Sequence, residues 1–257
     1  MKGEDGTEKQ GKIKTAVLAL SAVALMAVLV LSLYQGLKVY LPQKQEQERF
    51  SEIRQIAAEK SENQEESGLA KLAAHNPDFV GWLTVPDTEI DYPVVKPPAD
   101  DPQYYLHRDF DKNESFAGTP FIGEGCDDNS DVFIIYGHKM KAGTMFGTLD
   151  KFADRGWAEA HPEFTLETPT ETRTYRVFAV FRTTVNSKNE YRYFDNVGNF
   201  SAEERQRIAD EMRSRSEIET DAFPSAGEQI VILSTCSYHT ENGRFAVAAY
   251  RVDGDGR

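Results

Sequence analysis

The sequence predicts a mainly β fold, a barrel or sandwich of eight short strands, preceded by a helix able to cross a membrane. Three observations predict it. Eight apolar runs rich in β-branched and aromatic residues are separated by Pro, Gly, Asp and Asn turn signals. One charge-free apolar stretch stands near the N-terminus. In a chain of 257 residues, 40% hydrophobic and 11% aromatic content supplies one globular domain and its appendages, with too little left for a second.

Taken in chain order, residues 1–14 are a short tail and residues 15–37 the span. From Thr15 to Leu37 no residue is charged, and at ~1.5 Å per helical residue the stretch covers roughly 34 Å, against about 30 Å of hydrocarbon. A cleaved signal peptide is the rival reading. The run exceeds a usual apolar core, however, and Ala22-Val23-Ala24 lies inside it rather than after it, which favours an uncleaved anchor. Lys9, Lys12 and Lys14 precede the span and Lys38 and Lys44 follow it, a thin bias toward a cytoplasmic N-terminus. Residues 38–67 turn to Gln, Glu, Lys and Arg, with Phe50, Ile53 and Ala57 at helical spacing, and read as a helical stalk.

A globular domain is expected over residues 68–252, with 253–257 as a C-terminal tail. A helix over Gly68–Ala74 stops before Asn76-Pro77, because the residue preceding proline is pushed out of the α region. The strands are Phe79–Val85, Ile90–Val95, Thr119–Ile122, Asp131–Tyr136, Phe164–Glu167, Thr174–Thr183, Gln229–Ser234 and Phe245–Val252. Alternation at Tyr175, Val177, Ala179 and Phe181 marks one buried face, and Thr168-Pro169-Thr170 is the turn before it. Met145, Phe146, Leu149 and Phe152 suggest a short amphipathic helix after His138. Ser201 and Glu204 form a capping box for a helix to about Arg215, with Ile208 and Met212 on its apolar face.

A net charge of −13, without clustered Lys or Arg, excludes nucleic acid as an expected partner. The two cysteines, Cys126 and Cys236, allow either one disulfide or two free thiols, and the residues alone leave that open. Ile230–Cys236 is a buried strand that delivers a cysteine at its carboxyl end, with Arg244 opening the next strand after the Asn242-Gly243 turn. Antiparallel pairing brings that guanidinium near the sulfur. His138 ends another β run after Gly137, so the strand-end histidine and the strand-end cysteine can converge. An ordinary thiol is mostly protonated at neutral pH and needs a nearby base or cation. His138 supplies proton transfer, and the always-charged Arg244 suits an anionic carbonyl oxygen. His239, three positions from Cys236, is the weaker candidate base because its ring would have to fold back over the sulfur. His75, His107 and His161 lack metal-ligand spacing and no Cys or His pair suggests zinc, so neither metal nor cofactor is expected.

Several strings together resemble a known family. Leu233-Ser234-Thr235-Cys236 leading to Glu241-Asn242-Gly243-Arg244, and Tyr136-Gly137-His138, look like the cysteine, arginine and histidine motifs of sortases. The runs Asn76–Trp82, Ile90–Val95 and Tyr104–Phe110, together with Gly137–Met140 followed by Met145-Phe146, look like class B sortases in particular. The resemblance covers residues 68–252. It implies an eight-stranded sortase-type β-barrel with N-terminal helices and a long helix between the sixth and seventh strands, the place of the helix from Ser201.

It further implies a cysteine transpeptidase with Cys236, His138 and Arg244 as catalytic residues, and Ser234, Thr235 and Tyr136 lining the substrate groove. The implied partners are a surface protein or pilin bearing a C-terminal sorting signal, cleaved after threonine, and an amine of a peptidoglycan precursor or pilin. The implied location is the outer face of a Gram-positive-type cell membrane. Cys236 must then be free, which makes Cys126 an unpaired, exposed loop thiol. A papain-type thiol hydrolase would place its cysteine on a helix, and a non-catalytic membrane-tethered module would need no reactive sulfur; these are the two alternatives.

Overall fold

The computed structural model describes residues 4–59, 67–185, 190–237 and 240–252. The chain divides into two compact units, Met1–Glu48 and Arg49–Arg257.

The first unit is helical. Helix α1 runs from Glu4 to Ala57 without a break, so the boundaries expected after residues 14 and 37 are changes of composition within one helix. Its segment Leu20–Lys38, 19 residues of mean hydropathy 2.0, packs against nothing that buries it and is long and apolar enough to cross a membrane. Leu18, Leu25 and Leu29 point their apolar side chains outward, as a lipid-facing helix does.

The second unit begins earlier than residue 68, because the C-terminal turns of α1 pack onto it. Phe50 and Ile53 are buried there, and Arg49 and Arg54 pair with Asp111 and Asp91. Helix α2, Gly68–His75, is capped by Ser67 and ends at Asn76. Its Leu69 and Leu72 join Ile53, Phe79 and Trp82 in one apolar cluster. Residues 60–66 of the expected stalk and the 253–257 tail lie outside the described residues.

The strands are β1 Phe79–Thr84, β2 Asp91–Val95, β3 Phe121–Ile122, β4 Val132–Tyr136, β5 Glu163–Glu167, β6 Thr172–Thr184, β7 Ile230–Ser237 and β8 Gly243–Arg251. They close into a barrel in the order β1-β2-β3-β4-β7-β8-β6-β5, with β1 and β5 sealing it through Trp82 opposite Glu167 and Leu83 opposite Leu166. Of the barrel and the sandwich, the chain forms the barrel. The β2–β3 and β4–β7 pairs are parallel, and the others are antiparallel. Phe133, Ile135, Val231, Leu233, Phe245 and Val247 belong to the interior cluster. The opposite faces of the same strands, Val132, Ile134, Ile230 and Ile232, are covered in part by helix α4, Ala202–Ser214, through Ile208, Ala209 and Met212. That helix lies between β6 and β7 in sequence and starts with the Ser201–Glu204 capping box.

Two local expectations are corrected. In β6 the pairing slips between Val177 and Ala179, where a bulge inserts an extra residue. Tyr175, Val177 and Val180 therefore share the interior cluster, while Ala179 and Phe181 turn to the face under α4, so the alternation does not run straight through. After His138 there is no helix over Met145–Phe152. Met145 adopts a left-handed backbone, φ 55°, in a bridge with Lys139, and helical geometry starts only with the 3-10 turn Leu149–Ala153 and helix α3, Arg155–Ala160. Met145, Phe146, Leu149 and Phe152 are nonetheless all buried. A 3.6-residue spacing of apolar groups arises equally from a folded loop that tucks in its apolar side chains.

Candidate active site

Strand β7 is buried at every position except Cys236, whose side chain is exposed. The strand therefore anchors a thiol on both sides and leaves the sulfur open. Across the antiparallel β7–β8 ladder, Cys236 is the register partner of Arg244. The connecting turn brings Asn242 into the left-handed region, φ 59°, a conformation asparagine tolerates, and Gly243 follows. Among the described residues no carboxylate pairs with Arg244; its Nη1 donates to the Gly243 carbonyl at 3.1 Å, leaving the rest of the guanidinium toward the cleft.

On the other side of β7 lies β4 in parallel register, Tyr136 beside Ser234. The Gly137 N–H donates to the Ser234 carbonyl at 3.1 Å, and Thr235 Oγ1 donates to the Gly137 carbonyl at 2.7 Å. The two strand ends thus stay bonded together up to the two candidate residues, His138 and Cys236. Nε2 of His138 donates to the Leu106 carbonyl at 2.7 Å; a carbonyl can only accept, so the neutral ring keeps its lone pair on Nδ1. Burial pushes this imidazole below the ordinary histidine value, the Leu106 bond partly restores it, and His107, whose ring centroid lies 5.5 Å away, lowers it further. No hydrogen bond joins His138 to Cys236. Both line one cleft of about 650 Å³, bounded also by Arg244, Tyr136, Leu106, Gly123 and Val197. A slightly larger cavity, about 700 Å³, lies among α3, β6 and the segment after α4, lined by Arg155, Arg176 and Arg213 and by none of these residues.

The three expected groove residues behave differently from one another. Tyr136 is half-buried at the cleft wall, and burial raises its phenol far above the ordinary tyrosine value. Ser234 and Thr235 border the cleft but are almost wholly buried, and both hydroxyls are engaged within the protein. Ser234 Oγ is 2.6 Å from the hydroxyl of Tyr193, a fully buried residue whose phenol is pushed up to about 12 by loss of solvent. Tyr193 and Leu106 are structural members of the site that side-chain reading missed. Leu106 acts through its backbone, and Tyr193 opens a single 3-10 turn, Tyr193–Asp195, that no sequence pattern announces.

Cys126 is not disulfide-bonded, and neither is Cys236. Cys126 differs from the exposed loop thiol expected: it is buried beside Ile122 and Val94, its thiol donates to the Gly123 carbonyl at 3.6 Å, and burial raises its pKa. The loop folds inward because Lys96 Nζ donates to the carbonyls of Gly123, at 3.0 Å, and of Cys126. His239 lies outside the described residues. Among the described residues no group of three or more His, Cys, Asp or Glu side chains could hold a metal ion.

Comparison with known proteins supplies kinship. A family model described as "Sortase domain" matches residues 83–252. The sortase B of Listeria monocytogenes is 33% identical over 186 residues, covering 70% of this chain and 72% of that protein. Among solved structures, sortase B of Bacillus anthracis is 30% identical with a TM-score of 0.71, covering 83% of this chain and 99% of that one. Sortase B of Clostridium perfringens is 27% identical with a TM-score of 0.63, covering 72% and 99%.

Proposed function

The chain belongs to the sortase family of cysteine transpeptidases, in its class B branch, and from that membership we propose that Cys236, His138 and Arg244 transfer a sorting-signal acyl group to an amine. The observation that carries this assignment is the convergence at one cleft of the exposed thiol of β7, its cross-strand partner Arg244 and the histidine at the end of β4.

In the proposed reaction, the Cys236 thiol passes its proton to the free Nδ1 of His138, and the sulfur attacks the carbonyl carbon of the threonine at the cleavage point of the sorting signal. The oxygen becomes anionic, and Arg244 holds it by charge-assisted hydrogen bonds. Collapse breaks the C–N bond. The leaving amine takes a proton from His138, leaving a thioester on Cys236. An acceptor amine then attacks the thioester, its proton passes to His138, and the sulfur departs. Because His138 and Cys236 share no hydrogen bond in the free protein, the substrate itself completes the path between them.

Tyr136 contributes a wall of the peptide groove, and Ser234 and Thr235 hold the floor on which the threonine is presented. The donor is a surface protein or pilin with a C-terminal sorting signal, and the acceptor is an amine of a peptidoglycan precursor or pilin. Residues 15–37 anchor the chain in the cell membrane, with residues 1–14 inside and the barrel outside.

Incubating the full chain with a fluorogenic sorting peptide, with and without an amine acceptor, tests the reading. Ligated product in the presence of amine supports transfer. Hydrolysis indifferent to amine indicates a thiol protease, and no turnover indicates a binding module.

A further inference from the structure

The histidine loop is held from behind by residues the catalytic mechanism does not use. From Gly137 the chain leaves β4, passes His138, turns at Gly143 and returns through Met145 and Phe146. The Phe146 N–H donates to the His138 carbonyl at 2.9 Å, and Lys139 bridges to Met145, so the returning leg fixes the backbone from which the imidazole projects. That leg is strained: Met145 is a non-glycine residue at φ 55°, almost fully buried. Its amide N–H donates at 3.1 Å to the hydroxyl of Tyr92 on β2. The ring of Tyr92, itself 4% exposed, packs edge-on against Phe50 in the last turns of α1, with centroids 5.3 Å apart. Phe50, Tyr92, Ala117 and Met145 form a separate apolar cluster with Met140 against it. One turn further along α1, Arg54 pairs with Asp91, the neighbour of Tyr92, at 2.7 Å. The helix therefore grips β2 at two adjacent residues, one of which holds the histidine loop.

We propose that Tyr92, covered by Phe50, is a positioning residue for His138, acting through the Met145–Phe146 leg of the loop. The inference rests on His138 being the proton-transfer group. A buried amide that loses its acceptor at a left-handed position relaxes the backbone, because the strain is kept only by the surroundings. The relaxation reaches His138 through the Phe146–His138 bond, and a small misplacement of a proton-transfer group lowers turnover more than binding.

The test compares Tyr92→Phe, which keeps the ring against Phe50 and removes one oxygen, with Phe50→Ala and His138→Ala. The full-length chain is assayed with a sorting peptide and an amine, and its histidine ring signals are followed by NMR. Tyr92→Phe is expected to lower kcat about tenfold with KM within about twofold, and to move the ring signals of His138 while those of His161, stacked on Trp157 at the end of α3, stay in place. Phe50→Ala is expected to do the same. Wild-type kcat in Tyr92→Phe, or a lowered kcat with unmoved His138 signals, overturns the positioning role. Wild-type turnover in His138→Ala instead overturns the catalytic assignment on which it rests, so the two failures are told apart.

Discussion

Cys236 and Arg244 face each other across the β7–β8 ladder, the single exposed position of one buried strand opposite the second residue of the next. Their proximity is thus a matter of sheet register rather than of flexible loops, which places a cation beside the exposed thiol before any substrate arrives.

If that guanidinium binds the developing oxyanion, Arg244→Ala should lower kcat/KM by on the order of a hundredfold or more. Arg244→Lys should recover little, because a lysine offers a point charge without the planar fork of donors. Steady-state kinetics with the sorting peptide check this; an unchanged rate in Arg244→Ala makes the residue a solvated strand edge.

Burial depresses the His138 pKa, which has a consequence for stability as well as for chemistry. Above the unfolded value near 6.5 both states hold a neutral ring and nothing is lost. As pH falls below it, the unfolded chain takes up a proton that the folded chain refuses, and stability declines until the folded value is passed. His138→Gln should therefore show a smaller drop in thermal midpoint between pH 7.5 and 5 than the wild type, and NMR titration of His138 should give a midpoint below 6.5.

Gly137 has no room for a side chain: an added Cβ would lie 2.7 Å from the Phe146 ring. Gly137→Ala should push that ring, and with it the loop that holds His138, at a stability cost of roughly 1–3 kcal/mol. Turnover should fall by more than the folded fraction does, as read from kcat alongside circular dichroism.

At the docking of α1, Asp111 receives Arg49 in a two-pronged pair and His75 Nε2 at 2.6 Å, and these hold its carboxyl below the usual aspartate value. A depressed carboxyl stabilises the fold above about pH 3.8 and loses that contribution as pH falls. Because Arg49 is partly exposed, solvent screens the pair, and Asp111→Asn should cost about 1 kcal/mol, ~2–4 °C in thermal midpoint at pH 7, with the difference from wild type shrinking in acid.

What the sequence disclosed and what it withheld divide along physical lines. The capping box at Ser201, the strand ending in Cys236 and the Asn242-Gly243 turn are local signals, and local chemistry reproduces them in the structure. The shift of phase in β6 comes from a bulge between Val177 and Ala179, which no single residue announces. Met145 looks helical by spacing, yet takes a left-handed backbone because Tyr92, far away in sequence, accepts its N–H. The Leu106 carbonyl that orients His138 is a backbone atom, and backbone atoms carry no sequence signature. Cys126 sits in a Gly- and Asp-rich stretch that reads as solvent-exposed, and only the capture of its loop by Lys96 explains its burial.

The most direct test of covalent catalysis at Cys236 is intact-protein mass spectrometry of the full chain mixed with a sorting peptide, followed by peptide mapping. Covalent catalysis at Cys236 predicts an acyl adduct there that disappears on addition of an amine as ligated product forms, and no adduct or turnover in Cys236→Ala. Turnover persisting in Cys236→Ala, or an adduct mapped to Cys126, contradicts it.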